Sequence, residues 1–175
     1  MKRLLALVPL ALFIALLGVL VYYNFHKRET YEPRAMVGQT VPVLSLSDLE
    51  DGSTSDLRTL AAAYNKPILV NVFASWCVPC VSENPDLMAL KAKGVTIVGV
   101  AWKDDPANTL KFLAAHDDPY AAKLSDPDGR LGLALGISGV PETFIVQPDG
   151  TISDKITGPV VPSQVDAVYA EVTKK

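Results

Sequence analysis

The apolar residues of this chain form one long block followed by several short ones. Residues 4–25 carry no charge over 22 positions. As a helix rising about 1.5 Å per residue, such a run reaches about 33 Å, enough to cross a bilayer. Tyr22 and Tyr23 stand near its end, followed by His26, Lys27 and Arg28, the order of interfacial aromatics and then cations. A cleaved signal peptide would have an apolar region of about 7–15 residues ending at small side chains. This run is longer and leads into Tyr-Tyr-Asn-Phe-His, so residues 1–28 are expected to be an uncleaved anchor. Pro9 lies near one end, where a membrane helix tolerates it. Lys2 and Arg3 nearly balance Lys27 and Arg28, but a short cationic N-terminal tail stays inside. Residues from about 26 onward are then expected outside the cytoplasm.

Residues 29–39 lack periodicity and read as a tether, with a domain over 40–175. An extended segment begins at Val41, and Asp51-Gly52 signals a turn. Residues 68–73 (Ile-Leu-Val-Asn-Val-Phe) are nearly all apolar, the pattern of a strand buried on both faces. A helix is predicted over 77–93, kinked at Pro85 and stopped by Gly94, then a second buried strand over 95–101. Asp105-Pro106 supplies an N-cap and an N1 proline for a helix to His116, with Leu110, Leu113 and Ala114 on one face. A short segment over 121–124, a turn at Asp126-Pro-Asp-Gly129 and a brief helix over 130–135 follow. Residues 143–146 and 151–156 flank Gln147-Pro-Asp-Gly150 as a hairpin. Ser163 with Asp166 gives a capping-box pattern for a last helix, striped by Val165, Val168, Tyr169 and Val172. This order predicts an α/β fold, a central mixed sheet flanked by helices.

At 175 residues the chain is one domain plus a tail. A content of 49% hydrophobic and 20% charged residues excludes a disordered or collagen-like chain. Only Lys2, Arg3, Lys27 and Arg28 precede the first acidic residue, Glu29, so the remainder carries 12 basic against 19 acidic residues, a net of −7. Nucleic-acid binders show a basic face, so nucleic acid is excluded as a partner class.

The cysteines are Cys77 and Cys80, in Trp76-Cys-Val-Pro-Cys80, where the buried strand passes into a helix. A structural disulfide across three residues closes too small a loop to stabilise much. Structural zinc needs about four ligands, and His26 and His116 are the only histidines available. A redox dithiol remains as the third reading. A sulfur at a helix N-terminus faces unpaired N–H groups and the positive end of the helix dipole, which favours thiolate. Cys77 is accordingly the expected nucleophile, and Cys80, one turn along, the resolving thiol.

Trp76-Cys-Val-Pro-Cys80 after the strand, with Gly139-Val-Pro-Glu-Thr-Phe144, resembles a thioredoxin-like domain. The resemblance implies a cis peptide at Val140-Pro141 facing the cysteines, where the backbone can pair with an incoming peptide. Together with the anchor, Ala101-Trp-Lys-Asp-Asp105, Asp118-Pro-Tyr120 and Leu131-Gly-Leu-Ala-Leu-Gly136, the chain resembles the cytochrome c biogenesis thiol:disulfide reductases (CcmG/DsbE). The likeness implies a single-pass inner-membrane protein whose domain faces the periplasm and whose cysteine pair needs no cofactor or metal. It further implies a monomer that reduces the heme-binding cysteines of apocytochrome c, directly or through a maturation partner, and is recharged by a membrane electron donor of the DsbD or CcdA type.

Glu83 and Glu142 would bring negative charge towards the sulfurs, opposing thiolate and lowering the reduction potential. A solvated first-turn carboxylate is the plainer reading of Glu83. Asn71 stands where thioredoxins carry a buried Asp, which removes that candidate base and leaves the proton acceptor for Cys80 unassigned. Pro79 lies between the cysteines, and Trp76 and Trp102 frame the site, with a core or packing role the alternative for Trp102. A peroxidase would need Pro and Thr where Val70 and Ala74 stand. A general periplasmic disulfide reductase, a disulfide-forming oxidase and a copper-binding chaperone stay open, the last without a Met or His cluster to assist two thiolates.

Overall fold

In the computed structural model, which describes residues 8–26 and 34–174, every residue of strand β3 (Ile68–Phe73) is buried. Alternate residues of a strand face opposite sides, so this one strand seeds two cores. Leu69 and Phe73 point to one, with Leu87, Leu90, Phe112, Leu113, Val165, Val168 and Val172; Ile68, Val70 and Val72 point to the other, with Leu57, Ala61, Leu131 and Leu135. Each fully buried Leu or Phe stabilises by about 2–3 kcal/mol, so the layering rests on these side chains.

The strands β1 (Leu46–Asp48), β2 (Thr54–Ser55), β3, β4 (Ile97–Trp102), β5 (Ala122–Asp126), β6 (Glu142–Val146) and β7 (Ile152–Thr157) form one mixed sheet in the order β2-β1-β5-β4-β3-β6-β7. β3, β4 and β5 are parallel; β6 and β7 add antiparallel beside β3. The helices are α1 (Val8–His26), α2 (Leu57–Tyr64), α3 (Val78–Ala92), α4 (Pro106–His116), α5 (Arg130–Ala134) and α6 (Val165–Thr173). α3, α4 and α6 supply the core on the Phe73 side, α2 and α5 the core on the Val70 side. The chain divides into two compact units, residues 1–32 and 33–175.

Several expectations need correction. The sequence reading contains no counterpart of α2, although Asp56 caps it by accepting from Arg58 N and Thr59 N. On α4 the inward face is Thr109, Phe112 and Leu113, while Leu110 and Ala114 are exposed: the large Phe112 takes the place in the core, and the helix is turned so that only Leu113 of the expected stripe faces inward. Ser163 does not cap the last helix: Pro162 begins a 3-10 turn (Pro162–Gln164) one residue earlier, and Gln164 Oε1 accepts from Val161 N at 3.1 Å. Among the described residues no helix is long and apolar enough to cross a membrane. Residues 1–7, 27 and 28 of the expected anchor and 29–33 of the tether lie outside the described residues.

Candidate active site

The C-terminal ends of β3 and β4 and the start of β6 meet at one edge of the sheet, since β6 runs antiparallel to β3 with Glu142 opposite Val72. After β3 the chain passes through Ala74–Trp76 into α3, whose N-cap is Cys77 in extended conformation. Cys80 N–H donates to Cys77 Sγ at 3.2 Å, and the two sulfurs are joined as a disulfide. Helix capping by a cysteine places its sulfur among N–H groups that lack intrahelical partners, the environment that favours thiolate. Both cysteines are buried, while Trp76 and Val78 beside Cys77 are 56% and 79% exposed. Pro79, exposed in the first turn of α3, costs no helical hydrogen bond there.

The Val140-Pro141 peptide is cis, with Pro141 buried and Val140 half-buried against both cores. Trp102 tilts against Trp76 with ring centroids 6.1 Å apart, and a Cβ at Gly132 would collide with its indole, so a glycine is required there. Trp102 thus both packs and borders the site. Lys103 Nζ sits 4.8 Å from the Trp102 ring centre.

Glu83 is not a solvated carboxylate. One turn beyond Cys80 on α3, it is 1% exposed and accepts from Asn71 Nδ2 and from Val160 N, each at 3.0 Å. Burial pushes its carboxyl up to about 7, against the opposing pull of the Val160 and Asn71 hydrogen bonds. Asn71 also donates to Thr143 Oγ1 at 3.0 Å, while its Oδ1 accepts from the Tyr120 hydroxyl at 2.7 Å. Burial, with Glu83 and Asp118 adding to it, holds the Tyr120 hydroxyl far above its ordinary value, so it stays a donor. Every hydrogen-bonding atom of the Asn71 side chain therefore has a partner, and that network fixes Glu83 on the buried face of α3 that also carries Cys80.

Glu142 behaves otherwise, which corrects the expectation that it faces the sulfurs. Thr143 points to Asn71, on the cysteine side of the sheet, so strand alternation turns Glu142 to the opposite face. There its Oε2 pairs with Lys155 Nζ at 2.7 Å, both side chains at most 2% exposed, and its Oε1 accepts from Ser138 N and Oγ. The charge is neutralised in place, and the pair ties the segment before Val140-Pro141 to β7. Removing one partner of a buried ion pair strands the other charge, so Glu142→Gln should cost about 3–5 kcal/mol of unfolding free energy. Cys77 alkylation should keep its pH midpoint in that variant; denaturant unfolding and a thiol titration measure the two effects, and a displaced midpoint would restore Glu142 to the dithiol.

Tyr120, Thr143, Asp104 and Lys155 were not singled out as site residues from the sequence. Tyr120, Thr143 and Asp104 stand inside the quoted motifs, but their partners lie far along the chain. The one usable signal was register: once β6 is antiparallel to β3, Thr143 falls opposite Asn71. Among the described residues no cluster of His, Cys, Asp and Glu is arranged to hold a metal ion. What the arrangement can do is exchange a disulfide, with a capped sulfur, a second sulfur one turn along and a cis-proline edge beside them.

Comparison with known proteins agrees. Residues 36–171 match the Redoxin family. The chain is 43% identical over 158 residues to the thiol:disulfide interchange protein DsbE of Pseudomonas fluorescens biotype C, covering 90% of this chain and 86% of that one. It is 34% identical to the thiol:disulfide interchange protein HelX of Rhodobacter capsulatus over 97% of this chain and 98% of that one. The crystal structure of a secreted Mycobacterium tuberculosis disulfide oxidoreductase superposes with a TM-score of 0.61 at 23% identity, over 75% of this chain and 96% of that one, which supports the fold. With the dithiol in the geometry its chemistry requires, the chain is a thiol:disulfide oxidoreductase of the Redoxin family and belongs with the DsbE and HelX thiol:disulfide interchange proteins.

Proposed function

We propose that this oxidoreductase works as a reductant, opening the disulfide between the heme-binding cysteines of apocytochrome c during cytochrome c maturation. The observation that carries the direction is Glu83: a buried carboxyl one turn beyond Cys80 on α3 opposes negative charge on the sulfurs when ionised. A thiolate so disfavoured makes the reduced form a stronger electron donor. In the reaction, Cys77 thiolate attacks one sulfur of the substrate disulfide, forming a mixed disulfide and releasing the other sulfur as thiolate. Cys80 then attacks Cys77 Sγ, the substrate leaves as a dithiol after protonation, and the Cys77–Cys80 disulfide described above is the product. Two electrons pass from enzyme to substrate, and a membrane dithiol donor of the DsbD or CcdA type returns them. The backbone at Val140-Pro141 is the edge on which the substrate peptide would lie as an added strand.

Residues 1–28 hold the domain on the periplasmic side of the inner membrane in this proposal. Support comes from the uncharged run over 4–25 and from α1, whose apolar residues such as Leu12, Phe13, Ile14 and Val19 are exposed around the helix. Reduced enzyme mixed with a peptide carrying an oxidised Cys-x-x-Cys-His should reduce it faster than a peptide disulfide of unrelated sequence; equal rates would remove the cytochrome assignment. In intact spheroplasts added protease should digest the domain while residues 1–28 stay attached to it in untreated cells. Protection of the domain, or a mass lacking those residues, would sink the anchored placement.

A further inference from the structure

The two residues leading into Cys77 are held by the loop that follows β4. Ser75 N–H donates to Asp104 Oδ2 at 2.6 Å and Ser75 Oγ to Asp104 Oδ1 at 2.8 Å. Trp76 Nε1 donates to the carbonyl of Lys103 at 3.2 Å, and Lys103 adopts a left-handed φ of +48°. Asp104 is only 7% exposed, and its carboxylate also accepts from Thr109 Oγ1 at 2.8 Å and from Asp105 N at 2.9 Å. Each oxygen therefore accepts two hydrogen bonds, all from neutral donors. An uncompensated carboxylate is costly to bury, and a neutral amide would have cost less. An amide, however, would turn its N–H2 towards the backbone N–H of either Ser75 or Asp105, neither of which can accept, so only a carboxylate accepts from both backbone N–H groups and both hydroxyls at once.

The grip matters because of what happens when the disulfide opens. In the oxidised protein the covalent bond fixes Cys77 on the first turn of α3. Cys77 precedes the helical residues of α3, and in this disulfide form its N–H is bonded not within the helix but to Ala74 O at 3.1 Å, so reduction removes the covalent tie and leaves the preceding turn to hold it. Its sulfur stays at Cys80 N–H only as far as the preceding chain is held, and Ser75 is where that chain is anchored. We propose that Asp104 is a positioning residue of the reduced dithiol, fixing through Ser75 the turn that keeps Cys77 Sγ against Cys80 N–H at the start of α3. Asp104 touches neither sulfur, and its role holds whichever disulfide is the substrate.

Two simpler roles give different results. A buried charge acting only by repulsion would make Cys77 more acidic when removed; a purely structural residue would alter stability and leave the thiol alone. The test is the pH dependence of Cys77 alkylation in the reduced full-length protein, followed by peptide mass, beside its thermal midpoint. Asp104→Asn should raise the alkylation midpoint by about one pH unit, a tenfold loss of thiolate at a given lower pH. Ser75→Ala, which keeps the N–H grip, should move it the same way by less. Thr109→Val should lower the thermal midpoint and leave alkylation in place. A downward or absent shift in Asp104→Asn overturns the proposal, as does an equal upward shift in Thr109→Val. If Asp104→Asn does not fold, Ser75→Ala decides alone: a rise sustains the role, and no rise removes it.

Discussion

Cys77→Ser should reduce disulfide exchange to the uncatalysed background, whereas Cys80→Ser should still attack its substrate and stop at the mixed disulfide. Exposure does not distinguish the two sulfurs, which are 4% and 3% accessible by residue. Position does. Cys77 caps α3 and its Sγ accepts the Cys80 N–H, so it gains from the helix terminus what a thiolate needs; Cys80 is already inside the helix. Trp76 and Val78, both exposed, bracket Cys77 and give an incoming chain apolar surface to rest on. Without Cys80 no sulfur within the domain can attack the Cys77–substrate bond, and the adduct persists until external thiol removes it. Mass spectrometry of each variant after mixing with an oxidised peptide reads the outcome directly. Accumulation of adduct on Cys80 in the Cys77→Ser variant, at a rate matching the native enzyme, would reverse the roles.

Local signals in the sequence set the elements that carry the cysteines. The run of buried apolar residues gave β3 its bounds, and Asp105-Pro106 gave the start of α4. A cysteine pair at a strand-to-helix passage was enough to place Cys77 at the start of α3 with Cys80 one turn along it. The two glutamates were not legible to the same depth, because what distinguishes them is distant in the chain. Glu83 is neutral or charged according to its burial and its bonds to Asn71 and Val160, and Glu142 is silenced by Lys155 on a neighbouring strand. Counting from Thr143 could have turned Glu142 away from the sulfurs, since adjacent strand residues face opposite sides. No such rule reveals that Asp104 reaches back to Ser75, since that contact exists only once β3 and β4 are paired.

Glu83→Gln should remove a pH dependence that the native protein carries in both stability and redox chemistry. In the oxidised protein the cysteines do not titrate, so the stability effect can be read alone. The Glu83 carboxyl has an ordinary value near 4.5 in the unfolded chain and about 7 in the folded one, because burial penalises its charged form. A folded state that binds the proton more tightly is favoured at low pH, so the contribution is complete below about 4.5 and is lost as pH rises to about 7. Each pH unit in that window is worth about 1.4 kcal/mol, giving a loss on the order of 3 kcal/mol from this one residue. Glutamine, nearly the same size and always neutral, should flatten that slope, so the variant gains on the native protein between pH 5 and pH 8. The redox effect follows the same window. At pH 5 native Glu83 is protonated, and the two proteins should share one reduction potential; at pH 8 it is ionised one turn from Cys80 and disfavours the thiolate, so glutamine should raise the potential by tens of millivolts. Denaturant unfolding of the oxidised proteins and a glutathione equilibrium at both pH values measure the two effects. Equal slopes would mean that Glu83 keeps one protonation state across the window, and a potential unchanged at pH 8 would separate its burial from the chemistry of the cysteines.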